Sequence, residues 1–459
     1  MTDVDLVVAG AGGGLAGALR AAQLGARVLV VEANEHYLRG NNTSMSTAMI
    51  PGAGSRWQRE AGIDDSPPKF LGDIAAKTHG DYAKPVAEAL AGVSAELVEW
   101  LADHAGLPIE LPTDFHYPGH SAQRVHSIPG RHGSRLLRYL ADAVARESRI
   151  DVLVPGKVTA ARRDGDGLLV TVSYPDGGDE EISTGSLLLA TNGYGANREL
   201  VTEYLPEIAD AGYHGSEYST GDALRIGASF GAATSYLDAY QGHAGLSAEA
   251  RTLVTWTVVM HGGFVTTVDG RRFGDETTGY SEYAAVLAAQ PGSAGWLIYD
   301  ERIHKASLAF GDYVDVVESG AVRHGGSVEN LAAAIGVPAK ALEVELAEAT
   351  AVARGEQAKD RFGRTRFEQP LTGPLYAVRI LPALFHTQGG LNVDGDARVL
   401  DSANRPIPGL YAAGGSAVSI SGHGAAGYLA GNGLLPALGL AYLAATHSAA
   451  TLPTVKGKS

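Results

Sequence analysis

The chain has 459 residues, 45% of them hydrophobic, with a formal net charge of −15 and no cysteine. An acidic balance without any run of Lys or Arg excludes nucleic acid and an anionic membrane surface as natural partners. The missing thiols exclude disulfides, thiolate zinc sites, cysteine-ligated iron–sulfur clusters and thiol nucleophiles within this chain. If the protein moves electrons, they must leave by a diffusible acceptor or another protein. The length exceeds one ordinary core, so two or three structural units are expected.

The chain opens on an apolar run from Val4 to Ala9, a glycine-rich turn, a helix-compatible stretch from Leu15 to Leu24, and a second apolar run from Ala26 to Glu32. This order predicts a βαβ unit. The turn holds Gly10, Gly12, Gly13, Gly14 and Gly17, and Gly12, Gly14 and Gly17 satisfy GxGxxG, with Glu32 twenty residues beyond Gly12. Glycine lets a pyrophosphate approach the backbone, and the following helix aims its free N–H groups at the phosphates. An acid closing the second strand can take the ribose hydroxyls of an adenosine. The start enters a strand by Val4, so no secretory leader is expected and the cytoplasm is the expected compartment. Leu434 to Ala445, the most apolar late stretch, is too short to span a bilayer and contains Pro436.

Beyond Glu32, the small and polar segment from Arg39 to Gly54 reads either as a surface loop or as a segment lining a cofactor. Val86, Leu90, Val93, Leu97, Val98 and Leu101 repeat at helical spacing behind Pro85, which fits a first turn. A loop with Phe115, His116, Tyr117, His120 and His126 lacks metal-ligand spacing, so no metal site is expected; an amphipathic helix from Ser134 to about Glu147 follows. Gly165-Asp166-Gly167 and Pro175-Asp176-Gly177-Gly178 punctuate a predicted three-stranded meander from Val158 to Ala190. It runs into Thr191-Asn192-Gly193, and Thr220-Gly221-Asp222 opens a further helix. From about Leu237 to Gly373 glycine turns thin out and aromatics gather, which suggests an inserted domain. The glycine pattern then returns at Gly389-Gly390, at Gly409 and Gly414, and at Gly431-Asn432-Gly433 before a closing helix.

These stretches resemble the FAD-dependent group that contains fumarate reductase flavoproteins and 3-ketosteroid dehydrogenases. The likeness is carried by Gly10 to Glu32, Gly40 to Gly54, Ala190 to Gly193, Thr220 to Asp222, Gly270 to Glu276 and Gly389 through Asn432, in that order. It implies an α/β fold: a Rossmann-like split FAD-binding domain (1–236 and 374–459) with an inserted α+β substrate-capping domain (237–373). It also implies noncovalent FAD, since no His or Cys stands in the Asn41 to Ser46 loop to form a link. The residues it assigns to the cofactor are Gly10, Gly12, Gly14, Gly17, Glu32, Ala33, Asn41, Asn42, Thr43, Ser44, Met45 and Ser46. To these it adds Ala190, Thr191, Asn192, Gly193, Asp222, Gly414, Gly431, Asn432, Leu434 and Leu435. One departure is Gly415, where the family usually has Glu or Asn after Ala-Ala-Gly.

The implied activity is hydride exchange between flavin N5 and a carbon–carbon bond beside a carbonyl, on a small molecule and with a separate electron donor or acceptor. Fumarate reductases place an arginine four residues after the Glu that matches Glu276, and here that residue is Tyr280; a second arginine, near the closing helix, is best matched by Tyr428. His386-Thr387-Gln388-Gly389-Gly390 resembles their His-Thr-Met-Gly-Gly, while the tyrosine at 280 resembles the ketosteroid dehydrogenases. A buried dicarboxylate needs charge-assisted partners, best supplied by arginine forks, whereas a neutral ketone or enone does not. The expected catalytic set is therefore Tyr280, His386 and Tyr428, acting on a neutral cyclic ketone or enone. Two rivals stand beside it: a reductase or dehydrogenase of small unsaturated acids clamped by Arg124, Arg131 or Arg251, and a non-catalytic flavin electron carrier.

Overall fold

The structure, a computed structural model, describes residues 3–113 and 117–452; Phe115 and His116 of the histidine-bearing loop lie outside the described residues. The strand β1 (Val4–Ala9) is followed by helix α1 (Gly14–Gln23) and strand β2 (Val28–Val31), and β1 and β2 pair in parallel. Parallel pairing needs a crossover helix, and α1 supplies it. Beyond β2 the sheet continues in parallel to β3 (Ile150–Leu153). The expected meander is β4 (Lys157–Asp164), β5 (Gly167–Ser173) and β6 (Asp179–Leu189), antiparallel throughout. The apolar end of β6 then turns parallel to β1. Late in the chain, β7 (Arg398–Leu400) and β8 (Pro406–Ala412) extend the same sheet on the far side of β6. The chain closes on helix α2 (Leu434–Ala450), which packs on α1.

The Lys84–Asp103 helix buries the six apolar positions that the spacing marked, with Pro85 in its first turn. The Gly133–Val144 helix stops three residues short of the expected Glu147. The segment from Arg39 to Gly54 is irregular apart from one helical turn, Tyr37–Gly40, and the two-residue strand Ile50–Pro51, which pairs with Val125–His126.

The chain divides into two compact units. One comprises Met1–Leu205, Gly215–Gln241 and His386–Ser459, and the other Pro206–His214 and Gly242–Phe385. The second unit is built on a sheet ordered Tyr240–Ser247, Leu375–Thr387, Gly295–Asp300, Phe264–Thr267. Phe264, Ile298, Leu331, Leu342 and Ala377 pack into its core.

Inside the second unit lies a fully buried ion group. Glu276 accepts from Arg272 Nε (2.9 Å) and Nη2 (2.8 Å), from Arg364 Nη1 (2.9 Å) and from the Val265 backbone N–H (3.0 Å). Asp360 stands 2.7 Å from Arg272 Nη1 and completes the charge balance of two acids and two bases. Burial alone would push the Glu276 carboxyl up, but the two guanidinium groups outweigh it and hold the acid below its ordinary range. Removing one member of such a buried group leaves charge without a partner, at a cost of about 3–5 kcal/mol. Glu276→Gln should destabilise the second unit by that order in denaturant unfolding. Because the folded carboxyl is depressed, its contribution is full at neutral pH and disappears as pH falls through the depressed value. The wild type should therefore lose this unit in acid, while the variant shows a weaker acid dependence.

Candidate functional site

The five glycines of the first turn divide into distinct jobs. Gly10 has a φ of +103°, and a side chain there would collide with the Ala190 carbonyl just past the end of β6. Gly14 sits against Val8, where a Cβ would come within 2.7 Å of its Cγ1. Gly13 and Gly17 face the closing helix; a Cβ would meet the Ala437 carbonyl oxygen at 2.6 Å and the Ala441 carbonyl oxygen at 3.0 Å. Gly12 faces the irregular segment instead. A Cβ there would lie 3.0 Å from Thr43 Oγ1 and 3.9 Å from Asn41 Nδ2. The helix that follows has no side-chain cap and no acid in its first turn, so its N–H groups are left to an external acceptor.

Glu32 accepts the Ala11 backbone N–H through Oε2 and the Asn34 N–H through Oε1, both at 2.7 Å. Burial raises its pKa, and these backbone donors pull against that rise. The carboxylate is thus fixed at the end of β2, beside the turn. Ala33 follows it, partly buried.

The segment from Asn41 to Ser46 is folded on itself. Asn41 Oδ1 accepts from Ser44 N (2.9 Å), Ser44 Oγ donates to Asn41 O (2.7 Å), Met45 N donates to Asn41 O (3.1 Å), and Ser46 Oγ donates to Thr43 O (2.7 Å). Asn42 Oδ1 takes the Ser216 N–H at 2.8 Å. This leaves Asn41 Nδ2 buried and without a hydrogen-bond partner among the described residues.

On the other side of the sheet end, Asn192 holds a positive φ of 64° and donates through Nδ2 to Ser219 Oγ (2.9 Å). Thr191 Oγ1 lies 3.3 Å from Ser416 Oγ, which donates to Asn192 O at 3.0 Å. The departure at Gly415 has a steric reason. A Cβ there would collide with Asn192 Oδ1 and come within 2.7 Å of Gly193 N. Gly193 in turn has no room for a side chain beside Thr387 Oγ1. Gly414, with a φ of +61°, turns the chain below Ala437. Asp222 is already engaged: Lys157 lies 2.8 Å away, Arg225 3.0 Å, and Thr220 Oγ1 donates to it at 2.9 Å. Ahead of α2, Gly431 holds a φ of +90° against Pro51, and Asn432 is buried with Oδ1 lacking a partner among the described residues. Leu434 and Leu435 are buried in the first turn of α2.

Two expected catalytic residues meet in the first unit. The His386 and Tyr428 rings lie edge to face, 6.1 Å between centroids. Desolvation pushes the His386 imidazole down to about 4. Its Nδ1 is 3.1 Å from Gln388 Nε2. Within the second unit, the Tyr280 ring stacks on His243 at 4.7 Å and 24°, and His243 stacks on Phe385 at 5.4 Å. His243 is driven to about 3, first by burial and then by His214. Its Nδ1 accepts the Gly245 N–H at 2.9 Å. Trp256 stands edge-on to His243 and donates to the Glu276 carbonyl at 3.3 Å. Tyr280 is thus anchored by the stretch that the ion group holds.

Of the candidate clamp arginines, Arg124 is fully buried and paired with both Asp65 and Asp73, so it has no free edge for a substrate acid. Among the described residues, no group of three or more His, Cys, Asp or Glu is placed to hold a metal ion. Nor is any helix there long and apolar enough to cross a membrane. Sequence reasoning missed His243 and Gln388. The first carried no signal beyond a histidine in an apolar stretch; the second was visible as the Gln that replaces Met in His-Thr-Met-Gly-Gly.

A glycine turn at an uncapped helix start, a strand-end acid beside it, a buried amide donor and a buried amide acceptor define a dinucleotide-binding α/β fold. The FAD binding domain family matches residues 5–434, and the chain belongs to this family of FAD-dependent oxidoreductases, with FAD as its cofactor. Among curated relatives, an NADH:fumarate oxidoreductase of Klebsiella pneumoniae is 29% identical over 89% of this chain, which spans 44% of that protein's length. Among solved structures, an open flavocytochrome c3 fumarate reductase shares 27% identity at a TM-score of 0.80, covering 97% of this chain and 78% of that one. A 3-ketosteroid Δ1-dehydrogenase of Sterolibacterium denitrificans, at 22% identity and a TM-score of 0.76, has the same fold over 98% of this chain and 100% of that one.

The residues fit the cofactor. Asn41 Nδ2 beside Gly12 is a donor awaiting an acceptor such as a phosphate oxygen, and Asn432 Oδ1 is an acceptor awaiting an N–H. Gly12→Val should overfill this cradle at about 1–3 kcal/mol, weakening FAD roughly ten- to a hundredfold. The check is flavin titration of apoprotein, with circular dichroism showing retained fold. Acid precipitation of the wild type should leave all flavin in the supernatant, as noncovalent binding requires.

Proposed function

We propose that the protein forms or reduces a C=C bond conjugated to a carbonyl in a neutral cyclic ketone or enone, with a separate partner for the electrons. The observation that carries this reading is the stacking of Tyr280 on His243, at the position where the fumarate reductases it resembles have an arginine. His243 is neutral at any ordinary pH, and with Phe385 and Trp256 it builds an apolar wall on which a planar, uncharged molecule packs without loss of solvation. FAD, when bound, supplies the hydride acceptor or donor at N5. Tyr280 takes the α-proton in the oxidative direction and returns it in the reductive one. His386 and Tyr428 donate hydrogen bonds to the carbonyl oxygen, which acidifies the α-carbon.

The reading as a reductase of small unsaturated acids draws support from the relative named for fumarate; its clamp would fall to Arg131 and Arg251, since Arg124 is enclosed by Asp65 and Asp73. One experiment separates the two. The protein is reduced anaerobically and mixed separately with cyclic enones and with fumarate or acrylate, following flavin reoxidation. Rapid reoxidation by enones alone supports the carbonyl reading; reoxidation by the acids alone overturns it. With an active enone in hand, Tyr280→Phe should stay yellow and bind substrate. General acid–base catalysis contributes about a hundred- to ten-thousand-fold. Single-turnover flavin reduction should therefore slow by at least about a hundredfold, and a near-normal rate would remove Tyr280 from the proton step.

A further inference from the structure

A hydrogen-bonded chain leads from the start of α2 to the imidazole of His386. Asn432 Nδ2 donates to Ser421 Oγ at 3.0 Å. With its oxygen so occupied, the Ser421 hydroxyl gives its one proton to Gln388 Oε1, 2.9 Å away. The Gln388 amide is thereby turned with its oxygen toward Ser421 and its NH₂ toward His386 Nδ1, at 3.1 Å. Nδ1 also lies 3.4 Å from the Thr387 carbonyl oxygen, which could only accept from it, but the Gln388 amide is the nearer partner. An Nδ1 that accepts from this amide carries no proton, so the ring proton sits on Nε2. No hydrogen bond from a described residue reaches Nε2. A Cβ at Gly433 would come within 3.0 Å of it, so any side chain there would press on that edge of the ring.

We propose that Gln388 is a positioning residue: its amide holds His386 as the neutral Nε2–H tautomer, so the substrate meets a neutral N–H donor suited to a ketone or enone oxygen. The substrate half of this rests on the carbonyl reading above; the tautomer half does not. Every link is a neutral amide or hydroxyl, so nothing in the chain supplies the charge that would stabilise an imidazolium. Desolvation of the ring acts in the same direction. Methionine, which stands at this place in the resembling His-Thr-Met-Gly-Gly, can neither donate to Nδ1 nor accept from Ser421, so it would leave the tautomer unset.

The test is two-bond ¹H–¹⁵N correlation spectroscopy of ¹⁵N-histidine-labelled flavoprotein at pH 7, with His386→Asn identifying the signals. The wild type should show one protonated nitrogen, Nε2, and one bare nitrogen, Nδ1. Gln388→Met should shift His386 toward a tautomer mixture. Gln388→Glu puts a carboxylate beside Nδ1 and should protonate both nitrogens, while Kd for acrylate falls and KM for an enone rises, each about tenfold. Flavin absorbance reports that each variant is folded. An Nδ1–H tautomer in the wild type, which means that the chain of donors runs the other way, would overturn the proposal. So would imidazole signals that neither variant moves. An Nε2–H wild type that turns over only unsaturated acids would sink the carbonyl reading and leave the positioning role of Gln388 standing.

Discussion

The first unit depends on one close approach, that of α1 to α2. Gly13 and Gly17 lie against Ala437 and Ala441 with no room for a methyl group between them. This contact joins the glycine turn near the start of the chain to the helix near its end. It also brings the uncapped start of α1 and the Gly431–Gly433 bend into one unit with the sheet end at Ala190. The geometry is set by backbone meeting small side chains, so it is rigid in the way close-packed interiors are. Once it is fixed, Asn41 Nδ2 and Asn432 Oδ1 remain as buried groups without a partner among the described residues.

The second unit separates its charge from its working surface. Two arginines and two acids neutralise one another inside it, and that group fixes the stretch leading to Tyr280. The described ring stacked on Tyr280, His243, is left uncharged. A buried guanidinium beside the tyrosine would have drawn its proton off and favoured anionic ligands. On the carbonyl reading proposed above, pairing the guanidinium groups to carboxylates leaves recognition to ring faces and single hydrogen bonds. His386, in the first unit, follows the same pattern: a polar group held neutral by neutral partners.

The fold was legible where the signal is local. A period of two, a glycine turn and a period of 3.6 locate β1, α1, β2 and the meander, because these depend on neighbours within one element. Glu32 was legible for the same reason, being a fixed distance from the turn. The family's turns, spaced along the chain, carried the resemblance that the FAD binding domain family match bears out. What local pattern could not show is who pairs with whom at long range. Glu276 was read only as a landmark, although Arg364, far along the chain, completes its charge balance. Arg124 was offered as a clamp, yet Asp65 and Asp73 enclose it. His243 shows itself only when Phe385 and Tyr280 close on either face. Gln388 was quoted as part of a motif, but its role depends on Ser421 and Asn432, which no spacing links to it.

The steric fit at Gly415 bears on how such a chain can change over generations. Any side chain at 415 strikes Asn192 Oδ1 and the backbone of Gly193, so a residue of the kind the family usually carries there is inadmissible until the 190–193 turn has moved. Moving that turn first would break the Ser219 and Ser416 hydrogen bonds that hold it. A side chain at 415 and the present 190–193 turn are thus mutually exclusive in this chain, and an exchange at one position has to be matched by a shift at the other.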